Sequence, residues 1–187
     1  VCDYGQMFCI FRSPNTNKNL KTRTIIDEEY GLEIEINTRG RGKLVKAGLK
    51  HSSDECIVPS YVKTIGSMAF DGVCDYTKVI LPPGVTTIEE CAFKDSCIKQ
   101  LVIPLTVSKI GDGALAFSDW TKVEIDPDNP YYSTDGKALY SKDYSSLLYL
   151  FNSGDSYDVD YRARKVCSNA FRNSSVREIN FHSPTIS

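Results

Sequence analysis

The sequence is poor in the residues that most chemistry needs. It holds two histidines, His51 and His182, far apart in the chain, and none of its seven cysteines forms a Cys-x-x-Cys pair. That removes the usual ligand spacing of a zinc site. There is no Gly-x-Ser-x-Gly elbow, no Gly-rich phosphate loop and no His-Glu-x-x-His, the motifs that mark common hydrolases, nucleotide enzymes and metalloproteases. Carboxylates are many but scattered, so no acid–base pair stands out. These absences argue against an enzyme: no catalytic residue is assigned, and no metal or cofactor is expected. No apolar run approaches the roughly 18 residues of a spanning helix, so membrane insertion is not expected. The net charge of −2 gives no global field that would favour nucleic acid.

What the sequence does have is repetition. Cys56–Lys78, Val79–Gln100 and Leu101–Lys122 are three copies of one pattern, starting 23 and then 22 residues apart (56 to 79, 79 to 101). Each copy opens with mostly aliphatic residues followed by Pro59, Pro82 or Pro104. A pair of aliphatics three apart comes next: Val62 with Ile65, Val85 with Ile88, Val107 with Ile110. Then follow Ala69-Phe70, Ala92-Phe93 and Ala114-Leu115, with a degraded copy at Val166 that carries Ala170-Phe171 in register. A partial copy begins at Val176. Fixed periods of this size read as a solenoid whose coils each pack on their neighbours.

The Ile103-Pro104, Val62-Lys63-Thr64-Ile65-Gly66 and Ala69-Phe70 elements resemble the BspA-like leucine-rich repeat family, over about residues 53 to 187. That family also often carries an insert like the run from Asn129 to Ser141. The resemblance implies a right-handed leucine-rich-repeat coil, predominantly β with short strands and turns and little helix. It also implies a cell-surface or secreted protein that contacts proteins of a host or of neighbouring cells, including surface or matrix proteins. The chain begins at Val1 rather than Met, which is compatible with a removed leader and with export.

Alternation assigns the faces. The first strand of each coil is expected to point Cys56, Val79, Leu101, Val123 and Ile179 inward, then Val58, Leu81, Ile103, Ile125 and Phe181. A further inward column holds Tyr76, Ile98, Trp120 and Val176. Outward positions are Ile57, Ile80, Val102, Glu124 and Asn180. Three aliphatics in a row on an open face read either as strand propensity or as an interaction stripe, with Lys78, Gln100 and Lys122 as its polar rim. Cys74 and Cys97 share one column. The repeat register reads them as reduced, buried thiols. A disulfide is the sharper alternative, since adjacent coils lie roughly 4.8 Å apart.

Two segments depart from the period. Residues 1–52 read as an N-terminal capping region. Within it Leu32, Ile34 and Ile36 alternate with Glu33 and Glu35, and Asn37–Gly42 supplies a turn, so 32–49 is a β-hairpin. Tyr4–Phe11 reads as a strand. Arg39, Arg41, Lys43, Lys46 and Lys50 read as charge that protects a sheet edge, with phosphate binding as the alternative. Residues 53–187 are the repeats, with a hairpin inserted at about 127–152. Inserts map to one face of a solenoid and often to the binding face. The tyrosines concentrated there, Tyr131 and Tyr132 first among them, form the alternative contact patch. Asn173-Ser174-Ser175 matches a glycosylation acceptor.

The function read from these features is a non-enzymatic protein–protein interaction module, binding through Ile57, Ile80, Val102, Lys78, Gln100 and Lys122. The alternative is a structural spacer or self-assembly domain of a larger surface protein, dimerising through its coil edges.

Overall fold

The computed structural model describes residues 22–48, 53–116, 118–151 and 154–182. Tyr4–Phe11, Cys2, Cys9 and Lys50 lie outside them. The described residues form short strands and no helix. β1 (Thr22–Asp27), β2 (Leu32–Asn37) and β3 (Gly42–Ala47) make an antiparallel meander. The coils follow as strand pairs: β4 (Glu55–Ile57) with β5 (Val62–Ile65), β6 (Lys78–Ile80) with β7 (Thr87–Ile88), and β8 (Gln100–Ile103) with β9 (Lys109–Ile110). β10 (Lys122–Ile125) leads into β11 (Tyr132–Thr134), β12 (Ala138–Ser141) and β13 (Ser146–Leu150). β14 (Ser156–Val159), β15 (Lys165–Val166) and β16 (Glu178–Phe181) complete the series.

The coils stack into parallel ladders. The first strands make a sheet in the order β10-β8-β6-β4, and the second strands continue the meander as β1-β2-β3-β5-β7-β9. The reason is the alternation of the sequence. Cys56, Val79, Leu101 and Val123 are all buried between the two sheets, as are Val62, Ile65, Val85 and Ile88. Each prolyl residue lacks an N–H and sits where the ladder stops. Gly66 and Gly111 follow the second strands where the backbone of the preceding coil comes close. A Cβ on either would run into Leu44 O or Glu90 N respectively.

Three features differ from the sequence reading. First, β16 pairs with β14, not with β10. The inward columns therefore stop at Val123 and Ile125. Ile179 is half-buried and Phe181 is 43% exposed. The inserted strands stand where the next coil would have stacked. Second, Cys74 and Cys97 are joined as a disulfide, with their Cα atoms 4.5 Å apart, and both residues are exposed. Their column lies on the outer turn after the core Phe, so it is no ladder of buried thiols. Among the described residues Cys56 is the buried free thiol, and burial pushes its pKa up to about 12. Third, among the described strands β3 is interior, and β1 and β9 are the edges. Lys43 therefore does not guard an edge; it pairs with Glu89 at 2.7 Å. β1 itself is a strand that the sequence pattern did not mark.

The insert is a wall between two cores. Leu139, Tyr149 and Phe151 belong to the larger core, while Ala138, Tyr140, Leu147 and Leu150 face a smaller one with Tyr157, Val159, Ala163 and Ala170. It is also built like the N-terminal meander. Gly66 N–H donates to Leu44 O at 2.8 Å, and Cys167 N–H donates to Leu147 O at 2.9 Å. Ala47 N–H reaches Ala69 O, and Leu150 N–H reaches Ala170 O, both at 2.6 Å. Each hairpin ends in a strand on which the next coil stacks in parallel, β3 on β5 and β13 on β15.

Candidate functional site

The outer face of the β10-β8-β6-β4 sheet carries two rows of side chains in strict register. In the first, Ile57 pairs with Ile80, Ile80 with Val102, and Val102 with Glu124. In the second, Glu55, Lys78, Gln100 and Lys122 follow one another. Parallel stacking places equivalent repeat positions side by side, so a residue type repeated in sequence becomes a stripe in space. Ile57 is 47% and Val102 42% exposed, with Ile80 half-buried between them. The polar row neutralises itself in part. Lys78 Nζ donates to Glu55 Oε1 at 2.8 Å, and Lys122 Nζ lies 2.8 Å from Glu124 Oε1. Exposed pairs of this kind contribute about 0–1 kcal/mol and leave the charges available to a partner. A shallow groove of 170 Å³ runs along the rows, lined by Lys78, Gln100, Val102 and Lys122. Glu55 and Glu124 complete this face. Glu55 could have been found from its place two residues before Ile57, on the same side of the strand.

The tyrosines of the insert are mostly interior. Tyr131 is 51% exposed, but Tyr132 is buried and its hydroxyl oxygen accepts from Ile110 N–H at 3.0 Å. Asn129, fully buried, works beside it. Its side-chain amide donates to Pro104 O and Val107 O at 2.9 and 3.0 Å, and its Oδ1 accepts from Tyr131 N–H and Tyr132 N–H at 2.8 and 2.9 Å. Asn129 and Tyr132 therefore satisfy backbone groups of the third coil where the ladder breaks off. Beyond them a hydrogen-bond relay crosses the smaller core. Asp160 N–H donates to Tyr140 Oη at 3.3 Å, Tyr140 donates to Tyr157 at 2.6 Å, and Tyr157 donates to Asp135 Oδ2 at 2.6 Å. Burial, with the Asp135 carboxylate beside it, pushes the Tyr157 phenol well above its ordinary range. At the hairpin turn the Arg162 guanidinium lies 3.9 Å from the centre of the Tyr144 ring. The sequence-marked patch at Tyr131 and Tyr132 thus divides into one surface residue and one buried cap.

Short parallel strands on a period of 22 to 23 residues, with Pro at the coil turns and one side chain per coil in each inward column, define a leucine-rich-repeat solenoid. Residues 49–135 match the family model described as BspA type Leucine rich repeat region (6 copies). Those residues, a little under half of the chain, carry repeats of that type. No curated protein matches the sequence significantly. Among solved structures, the chain is similar to the pneumococcal vaccine antigen PcpA, at 23% identity and a TM-score of 0.59, over 68% of this chain and 34% of that one. It is also similar to a leucine-rich repeat protein from Eubacterium ventriosum, at 15% identity and a TM-score of 0.52, over 86% of this chain and 60% of that one. The chain therefore spans about a third of the first and three fifths of the second. At these identities the likeness carries the fold. No helix among the described residues is long and apolar enough to cross a membrane.

Proposed function

We propose that the chain is a non-enzymatic protein-interaction module of a cell-surface or secreted protein, and that a protein partner, such as a surface or matrix protein of a host or neighbouring cell, docks on the outer face of the β10-β8-β6-β4 sheet. The observation that carries this reading is the in-register row Ile57, Ile80 and Val102, exposed and bordered by Lys78, Gln100 and Lys122. An apolar stripe inside a polar rim is the usual anatomy of an interaction site. The exposed Cys74–Cys97 disulfide supports an oxidising location, because accessible disulfides are reduced in the cytosol.

The test is capture of surface and matrix proteins on the immobilised chain. Ile80→Asp and Val102→Asp should each weaken capture without a change in fold. Tyr131→Ala tests the insert in the same assay. Tyr132→Ala does not serve there, because that residue is buried against Ile110. Capture untouched by both aspartates but lost in Tyr131→Ala would move the site to the insert. Capture insensitive to all three would favour the second reading, a spacer or self-assembly domain. That reading is supported by β16, which pairs only with β14 among the described strands and leaves Phe181 exposed.

A further inference from the structure

The sheet of first strands is interrupted, and the interruption has a defined chemistry. β10 pairs with β8 on one side, and no described strand pairs with it on the other. Among the described strands, the next first strand, β14, pairs only with β16. From Lys122 to Ser156 is 34 residues (156 minus 122), against 22 from Gln100 to Lys122. The excess goes into the inserted hairpin, which occupies the coil position without restoring the ladder.

In a parallel ladder, alternate residues turn both backbone groups to one neighbour and the residues between turn theirs to the other. Lys122 N–H bonds to Lys99 O at 3.0 Å and Asp126 N–H to Ile103 O at 3.0 Å. Lys122, Glu124 and Asp126 thus face β8, and Val123 and Ile125 direct their N–H and C=O groups away from it. These groups border a groove of 610 Å³ whose walls include Val102, Glu124, Ile125 and Pro127 and, from the turn of the insert, Thr134 and Gly136.

We propose that this free edge of β10 takes an extended peptide segment of a partner protein, which adds as the missing strand. Unpaired N–H and C=O groups on a strand edge are matched best by the backbone of another extended chain, the basis of recognition by strand addition. Ile125 and Pro127, on the inward side of β10, select apolar side chains at the inward-facing alternate positions of the incoming strand. At the rim Glu124 is already paired with Lys122, and Asp126 favours a lysine or arginine beside it. This edge is separate from the Ile57–Ile80 stripe, although Val102 borders both.

The probes are linear peptides selected from a displayed random library on the intact chain, then synthesised with and without N-methyl groups at alternate residues. The selected peptides should alternate apolar residues with a basic one. N-methylation of one alternate set, and not of the other, should weaken binding by roughly tenfold or more, because only one set faces β10. Amide NMR shifts should move at Val123 and Ile125. Ile125→Pro removes an outward N–H without touching the β8 ladder, a position where an edge strand tolerates proline, and should also cost roughly tenfold or more in affinity. Ile80→Asp should leave peptide affinity unchanged. The methylation arm holds even where Ile125→Pro disturbs packing. Failure to select any binding peptide, equal tolerance of both methylated sets, or shifts confined to Ile57 and Ile80 would overturn the proposal. The last result would leave the stripe standing as a site.

Discussion

Phe93 shows what a single residue contributes to this fold. Its ring stacks on Phe70 with centroids 4.9 Å apart and meets Trp120 edge-on at 5.5 Å, while Trp120 Nε1 donates to Leu115 O at 2.8 Å. The column couples three coils, so Phe93→Ala removes contacts on both sides at once. It should lower stability by about 3–5 kcal/mol, read as a shift in the midpoint of chemical denaturation. Asn129 is the polar counterpart. Asn129→Leu takes the side-chain partner from Val107 O and from the N–H groups of Tyr131 and Tyr132, while Pro104 O still accepts from Val107 N–H. A buried polar group left unpaired costs about 1–3 kcal/mol, so the variant should destabilise the chain markedly with little change in volume. The cysteines separate by environment. Alkylation of the folded protein without reductant should leave Cys74 and Cys97 unmodified because they are bonded. Cys56 should also stay unmodified, because it is buried and its thiol is pushed up to about 12. Reductant should expose Cys74 and Cys97 to reagent while the fold persists. Labelling of those two before reduction would contradict the bonded pair.

At the scale of the element, the inserted hairpin is the part whose role the sequence pattern concealed. Its turn is set by Asp143, whose carboxylate accepts from Ser141 Oγ at 2.7 Å, Ser145 Oγ at 2.8 Å and Ser145 N–H at 3.0 Å. These donors hold its pKa down to about 2. A carboxyl whose folded value is depressed contributes stability above its unfolded value near 4, and that contribution is lost as pH falls towards 2. The melting temperature should therefore decline between about pH 4 and pH 2, and Asp143→Asn should flatten that part of the profile. The existence of the hairpin was legible from its turn residues and period break. Its role was not. Tyrosine concentrated in an insert reads as contact surface, because its polar tip suits an interface. Here, however, the segment has a core on each side, and Leu139 and Tyr140 are both fully buried. Alternation reveals burial on one face only, and a strand covered on both faces loses that signal.

At the scale of the whole molecule, the repeat made most of the fold readable. Columns at Cys56, Val79 and Leu101 or at Phe70 and Phe93 follow from register alone, because each coil repeats the environment of the last. The same logic misled where the environment changed. Ile179 and Phe181 fit the column in sequence, yet the strand that carries them stacks on β14 across the break. The cysteine pair was misread for a related reason. Register places Cys74 beside Cys97 but does not say whether that column faces the core or solvent. The outward stripe was fully legible, since Ile57, Ile80 and Val102 lie side by side in the parallel ladder. Whether they bind is a question of affinity rather than of fold. The most direct measurement is the affinity of a captured partner, by surface plasmon resonance, for the unchanged chain and for an Ile80→Asp, Val102→Asp double variant of equal melting temperature. Two desolvated contacts at the centre of an interface are each worth about 1–2 kcal/mol or more, so the double variant should lose at least roughly tenfold in affinity. An unchanged affinity in a folded double variant would contradict the assignment of this sheet face as the binding surface.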